Sequence, residues 1–193
     1  MLDYDREATR YDATRGGEPR ADAAAAAYAA LLADAPAGPV LDLGCGTGLV
    51  TRALARATGR TVLGLDASAG MLGLAAARLP GRVLRGDGAR LPARDGSLAA
   101  VTAVWLLHLL PAPTVAAVVA EAARVLAPGG LLVTTVDKNG RGDGTDAEPV
   151  LTGLAAESGL RPHTGTRFVG VGQAALPGRR PADPVYRVQA FRA

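Results

Sequence analysis

The sequence predicts a doubly wound α/β protein, with a mostly parallel sheet covered by helices on both faces. Three observations predict it. Short apolar runs alternate with helix-like stretches five times along the chain, the pattern of strands joined by helical crossovers. The first run, Val40 to Leu43, leads straight into Gly44, Gly46 and Gly48 and then a helix start. That is how parallel sheets bring backbone N–H groups close to a small polar ligand. Two later runs end in aspartates, Asp66 and Asp87, and ligands in such folds sit at the carboxyl ends of strands.

Length and composition narrow the class. A chain of 193 residues reads as one domain able to bury roughly 70% of its unfolded surface. No apolar run reaches the ~18 residues of a membrane span, and the charged start, Met1 to Arg6, has no signal-peptide core. A cytoplasmic protein with no membrane span is expected. The single cysteine, Cys45, excludes an internal disulfide and a cysteine metal cluster. Net charge is +3, Lys138 is the only lysine, and the arginines are scattered, with Arg179-Arg180 the only adjacent pair. No basic stripe forms in the sequence, which argues against nucleic acid as a partner.

The elements follow in order. Residues 1–20 are polar, with Tyr4 and Tyr11 among them, and read as a disordered tail or a lid that orders over a ligand. The alanine-rich stretch 20–34 is a helix by propensity, ended by Pro36, Gly38 and Pro39. Strand and helix occupy about 39–58, closed by Gly59. A second strand runs from Thr61 to Leu65, and Ser68 caps a helix carrying Met71, Leu72 and Leu79 before Pro80-Gly81. Arg82 to Arg85 is a weak third strand, and Ala89 to Leu98 is mostly loop.

Leu98 to Leu107 is continuously apolar or small, as a strand buried on both faces should be. After the turn Pro111-Ala112-Pro113, a helical stripe runs from Val115 to Leu126, and Leu131 to Val136 is another buried strand. Residues 137–146 read as a mobile polar loop, and Glu148 to Ser158 as a helix stopped by Gly159. Arg167 to Val171 and Val185 to Phe191, separated by the Pro/Gly-rich 177–184, form an antiparallel pair at the sheet edge.

The spacing of the chemistry is selective. Glycines at 44, 46 and 48 give GxGxG, whereas a dinucleotide fingerprint needs GxGxxG and position 49 is leucine. Asp66, 22 residues after Gly44, is placed to accept ribose hydroxyls. Asp87 can take an exocyclic adenine N–H, with Gly88 and Ala89 offering backbone to the ring edge. Met71 or Leu72 can cover an adenine face.

These motifs resemble the class I S-adenosylmethionine-dependent methyltransferases, closest to the small-molecule enzymes of the ubiquinone/menaquinone type. The likeness rests on VLDLGCGTG at 40–48, LGLDAS at 63–68, GDGARLP at 86–92 and RVLAPGGLLV at 124–133. It implies a Rossmann-like, three-layer αβα sheet of seven strands with the last antiparallel. It also implies S-adenosylmethionine as cofactor, S-adenosylhomocysteine as product, and a small-molecule acceptor. Carried over by position, Gly44, Gly46 and Gly48 flank the methionine part and the ribose. Asp42 orients the loop and reaches the amino group, with Cys45 a small buried neighbour. Asp66, beside Ala67, holds the ribose. Asp87, Gly88 and Ala89 hold the adenine, and Trp105 sits beside the transferring methyl. Tyr11 and Arg15 belong to an N-terminal lid, with Arg15 on the cofactor carboxylate. The single domain 1–193 then divides into lid and helix (1–38), cofactor-binding core (39–136) and C-terminal helix with edge strands (137–193).

Methyl transfer from a sulfonium is mainly a problem of alignment, and a base is needed only when the acceptor must lose a proton. His108, three residues past Trp105, is the candidate base; a histidine hydrogen-bonded beneath the site is the alternative. The sequence after the fourth strand, Val104-Trp105-Leu106-Leu107, lacks the DPPY set of adenine-amino methyltransferases and the acid of magnesium-dependent catechol enzymes. No metal is expected. The rival readings are a cofactor-binding subunit without catalysis, an RNA-base methyltransferase, and an NAD(P)-dependent oxidoreductase. The glycine spacing counts against the last. So does Thr134 where a Tyr-x-x-x-Lys pair ending at Lys138 would need tyrosine.

Overall fold

Apolar alternation sets the two faces of the sheet. The computed structural model describes residues 2–140, 144, 147–170 and 183–193. Its strands are β1 (Val40–Leu43), β2 (Val62–Asp66), β3 (Val83–Arg85), β4 (Leu98–Ala103), β5 (Leu126–Lys138), β6 (Arg161–Val169) and β7 (Val185–Arg192). They form one seven-stranded sheet in the order β3-β2-β1-β4-β5-β7-β6. β1 through β5 pair in parallel, and β7 runs antiparallel to both β5 and β6. Seven strands with the antiparallel β7 agree with the expected Rossmann-like architecture.

The helices are α1 (Tyr4–Thr14), α2 (Gly17–Leu32), α3 (Leu49–Thr58), α4 (Ala69–Arg78), α5 (Ala112–Val125) and α6 (Glu148–Glu157). Successive strand residues point to opposite faces, and each face has its own core. Leu41, Leu43, Val101 and Leu132 pack with Val115, Val118 and Ala122 of α5 and Leu151 of α6. Val40, Ala100, Leu131 and Val133 pack with Tyr28, Leu31 and Leu32 of α2 and Ala53 and Leu54 of α3. β1 and β4 are buried along their whole length, as central strands covered on both sides must be.

Local signals explain most boundaries. The Ser68 hydroxyl accepts the Met71 N–H at the start of α4, and Gly59 ends α3 with φ +65°, the left-handed stop that glycine tolerates. Four boundaries differ from the sequence reading. β4 ends at Ala103, and the chain turns through a 3₁₀ segment at Leu107–Leu109. α5 starts at Ala112, because Pro113 fits the first helical turn as readily as it fits a loop. β5 begins at Leu126, directly after α5, with a register shift against β4 between Leu98 and Ala100 that accommodates the following glycines. β6 begins at Arg161, since exposed polar residues still pair with β7. Of the expected 137–146 loop, residues 141–143 and 145–146 lie outside the described residues, as do Val171 and positions 177–182.

The N-terminal stretch, read as tail or lid, is helical. Asp3 caps α1 by accepting the Arg6 N–H. α1 lies against α4, and its Asp5 accepts both the Ser68 hydroxyl (2.5 Å) and the Gly70 N–H (2.8 Å). A Cβ at position 70 would stand 2.6 Å from the Asp5 carbonyl oxygen, so glycine there permits the approach.

Candidate functional site

The glycine turn is held from below by neighbouring strands. Gly44 and Cys45 both donate their N–H groups to the Leu65 carbonyl, at 2.8 and 3.1 Å. Gly44 has φ +65°, and a Cβ on it would meet Leu106 at 2.8 Å; a side chain there would be strained and crowded. Gly46 also has positive φ, with nothing within 4 Å of its would-be Cβ, so the turn has open space on its outer side.

Asp66 ties the turn to β2. Its Oδ2 accepts the Gly46 N–H and its Oδ1 the Ser68 N–H, each at 2.8 Å. A carboxylate has about four acceptor positions, so both oxygens keep capacity for hydroxyls of a ligand. Asp42 lies beneath, on the α3 face of β1. It accepts from the Thr51 hydroxyl at 2.6 Å and the Thr102 hydroxyl at 2.7 Å. Burial pushes its carboxyl up to about 6, the two hydroxyl bonds pull against that, and the Asp66 charge adds to the rise. Cys45 is buried, and burial, with Asp42 and Asp66 nearby, pushes its thiol up. It is an inert small residue, not a nucleophile.

Two clefts meet at Gly44. One, about 350 Å³, is lined by Asp66, Ala67, Gly86, Asp87, Gly88 and Leu106 among others. The other is narrow, about 70 Å³, and is lined by Tyr11, Arg15, Asp42, Cys45, Gly46 and Trp105, with Arg20 and Thr47. Gly44 lines both. A wide, carboxylate-edged compartment joined to a narrow one fits a nucleoside continued by an amino-acid tail. Asp87 Oδ1 accepts the Ala89 N–H at 2.9 Å, which fixes the carboxyl at the mouth of the wide cleft.

Trp105 marks the break after β4. Its φ is +54°, costly for a bulky residue and typical of functional sites. The indole packs against Phe168 and Tyr186, with ring centroids 6.0 and 5.4 Å away. Arg20 lies over the ring at 3.6 Å. Tyr28, fully buried in α2, is hydrogen-bonded to the Thr135 hydroxyl, which accepts the backbone N–H of Trp105.

α1 closes over the turn through residues the sequence reading did not single out. Asp12 accepts the Thr47 hydroxyl at 2.6 Å and pairs with Arg78 at 2.8 Å, while Arg78 also donates to the Thr47 carbonyl. Gly16 and Gly17, both at positive φ, link α1 to α2. Only the Thr47 position, inside the glycine motif, carried a sequence signal. The Asp12 and Arg78 partners lie too far apart to be read from spacing.

Four expected site residues line neither cleft: His108, Met71, Ala89 and Gly48, whose would-be Cβ faces Ala75 and Leu79 at 3.1 Å. His108 falls in the 3₁₀ turn and is exposed. It lines neither cleft, because β4 stops at Ala103 and the following turn carries position 108 outward. Met71 is buried in the α4 interior at 2% exposure and likewise lines neither cleft. Its Cβ direction belongs to the helix face that packs inward. Ala89 packs against the main core and offers its N–H to Asp87, not to the open space.

Comparison with known proteins agrees with this geometry. Residues 40–130 match the family profile described as a methyltransferase domain. No curated protein matches the chain in sequence. Among solved structures, the chain that accompanies the Haloferax volcanii Trm112 methyltransferase activator superposes with a TM-score of 0.71 at 22% identity, over 98% of this chain and 97% of that one. A Thermotoga maritima S-adenosylmethionine-dependent methyltransferase gives 0.67 at 19% identity, over 98% and 97%. Geranyl diphosphate C-methyltransferase from Streptomyces coelicolor gives 0.64 at 18%, over 86% and 78%. No helix among the described residues is long and apolar enough to cross a membrane. The methyltransferase profile thus lies over the glycine turn, Asp66 and Asp87, across just under half of the chain, and the seven-stranded sheet has the class I methyltransferase fold.

Proposed function

We propose that the chain transfers a methyl group to an O, N or C nucleophile of a small molecule by in-line displacement, working as a cytoplasmic enzyme. The observation that carries the reading is the meeting of the two clefts at Gly44, with Trp105 walling the narrow one. Bound across them, S-adenosylmethionine supplies a methyl group on a positively charged sulfur that leaves as a neutral thioether. The chain's own residues then position and enclose. Asp66 would take the ribose hydroxyls while bracing Gly46, and Asp87 with Gly88 would take the adenine edge. Asp42 would face the ammonium group, and Arg15 the carboxylate. Tyr11 and Arg15, carried on α1 and its end, would cover the tail and exclude water. Trp105 would border the methyl and shape the acceptor side.

The small-molecule acceptor is supported by the narrow cleft and by the motif likeness to the ubiquinone/menaquinone type. Neighbours of similar fold include an enzyme named for geranyl diphosphate. The test is direct. The chain is incubated with methyl-labelled S-adenosylmethionine and either a small-metabolite extract or total RNA, and label is followed into each fraction. Label in a low-mass product, with S-adenosylhomocysteine released in equal amount, is expected. Label in RNA would favour the RNA-base reading. Tight cofactor binding with no transfer to either would favour a non-catalytic subunit.

A further inference from the structure

Arg20 stands at the start of α2, with its guanidinium carbon over the Trp105 ring, 3.6 Å from the centroid, and both residues line the narrow cleft. A guanidinium has five N–H donors. One bond is accounted for, from Nη1 to the Arg15 carbonyl at 3.3 Å, and no carboxylate among the described residues pairs with Arg20. The acids around it are engaged elsewhere: Asp12 with Thr47 and Arg78, Glu18 with Arg52, and Asp42 with its two threonines. The Trp105 Nε1–H is also buried with no hydrogen-bond partner. One wall of the cleft thus holds a cation without a carboxylate partner and a buried donor without an acceptor among the described residues.

An arginine stacked on an aromatic ring keeps its in-plane N–H edge available, and that fork matches the geometry of a carboxylate. The cofactor brings one carboxylate, for which Arg15 is the proposed partner, and a sulfonium of its own. Arg20 would then be a second cation near a positive sulfur in a half-enclosed cleft. Like charges at such range repel, and an anion between them relieves both. We propose that the methyl acceptor is an organic anion, which docks a carboxylate or similar oxyanion on Arg20 against the Trp105 wall. This rests on the methyl-transfer reading above and narrows it to a substrate class. Arg20 is a specificity-determining residue, and its partner is recognised by charge and planarity.

Trp105 is the only tryptophan in the chain, so the subsite carries its own reporter. The full chain, saturated with S-adenosylhomocysteine, is titrated with benzoate and butyrate and with their uncharged analogues benzamide and butyramide, following Trp105 emission. The carboxylates are expected to bind at least about tenfold tighter than the amides, the range for a hydrogen-bonded charged pair. Arg20→Gln, saturated with S-adenosylhomocysteine according to its own calorimetric affinity, should lose that preference. Equal response to acid and amide overturns the proposal. So does the absence of any response to carboxylates, or a preference that survives in Arg20→Gln. If the variant loses cofactor binding, the wild-type comparison of acid with amide still decides. Failure of the wild-type chain to bind S-adenosylhomocysteine would instead overturn the methyl-transfer reading.

Discussion

Asp42→Asn separates what the protein needs for folding from what it needs for its cofactor. The substitution keeps shape and removes one charge from a site only 2% exposed. In the folded chain burial outweighs two hydroxyl bonds, and the carboxyl rises from 3.8 to about 6. Below about pH 4 the group is neutral whether the chain is folded or unfolded. Between about pH 4 and 6 the unfolded chain releases the proton while the folded chain keeps it, so stability falls as pH rises. Above about pH 6 the folded carboxylate is charged and the loss is complete. From 3.8 to about 6, at 1.36 kcal/mol per pH unit, the loss is about 3 kcal/mol. Asparagine does not titrate and escapes it. Urea unfolding without cofactor should therefore show the variant gaining on the wild type by about 3 kcal/mol between about pH 4 and pH 7.5. At the higher pH the same variant should bind S-adenosylhomocysteine more weakly, having lost the proposed ammonium partner. Parallel pH–stability curves for the two proteins would refute the argument.

Other expectations follow from the turn and its lid. Asp66→Ala releases the Gly46 and Ser68 N–H groups and removes the proposed ribose partner. Its S-adenosylhomocysteine affinity should fall more than about tenfold while circular dichroism stays native; wild-type affinity by titration would sink the assignment. Gly44→Ala forces a side chain to φ +65° and 2.8 Å from Leu106. It should cost about 1–3 kcal/mol in urea unfolding, and an unchanged midpoint would mean the turn is not held as described. Asp12→Ala cuts α1 from Thr47 and Arg78. Amide exchange across Tyr4–Thr14 should speed up, and exchange at the wild-type rate would show that α1 is held elsewhere.

The sheet was legible because its signals are local and repeated. Val40 to Leu43 and Thr61 to Leu65 are apolar runs closed by glycine or aspartate, and the structure puts strands on both. The end of β4 was not legible. Leu98 to Leu107 reads as one apolar run, and nothing in its composition says that the chain breaks at Ala103 and forces Trp105 into the left-handed region. That single boundary decides where His108 goes. Position 108 counted along an unbroken strand lies at the site, and counted along a 3₁₀ turn it faces solvent. The α1 contacts were hidden for a different reason. Asp5 meets Ser68 and Asp12 meets Arg78 across more than sixty positions, and polar pairs at such separations leave no periodicity to read. Arg20 over Trp105 is hidden in the same way.

The character of these hidden contacts bears on how the site works. α1 buries only Glu7 and Ala8, so little apolar area holds it down. Its remaining ties are hydrogen bonds and ion pairs at partly or fully exposed positions, and such pairs contribute little in water. Gly16 and Gly17, both left-handed, lie at the joint between α1 and α2, and the packing of α2 on β1 and α3 is apolar and firm. A lightly held helix on a glycine joint can leave and return without disturbing the sheet. The same helix carries Tyr11 to the narrow cleft and Asp12 to the glycine turn. We propose that a ligand filling the clefts would add contacts that only the closed position of α1 makes, and would favour closure by that difference.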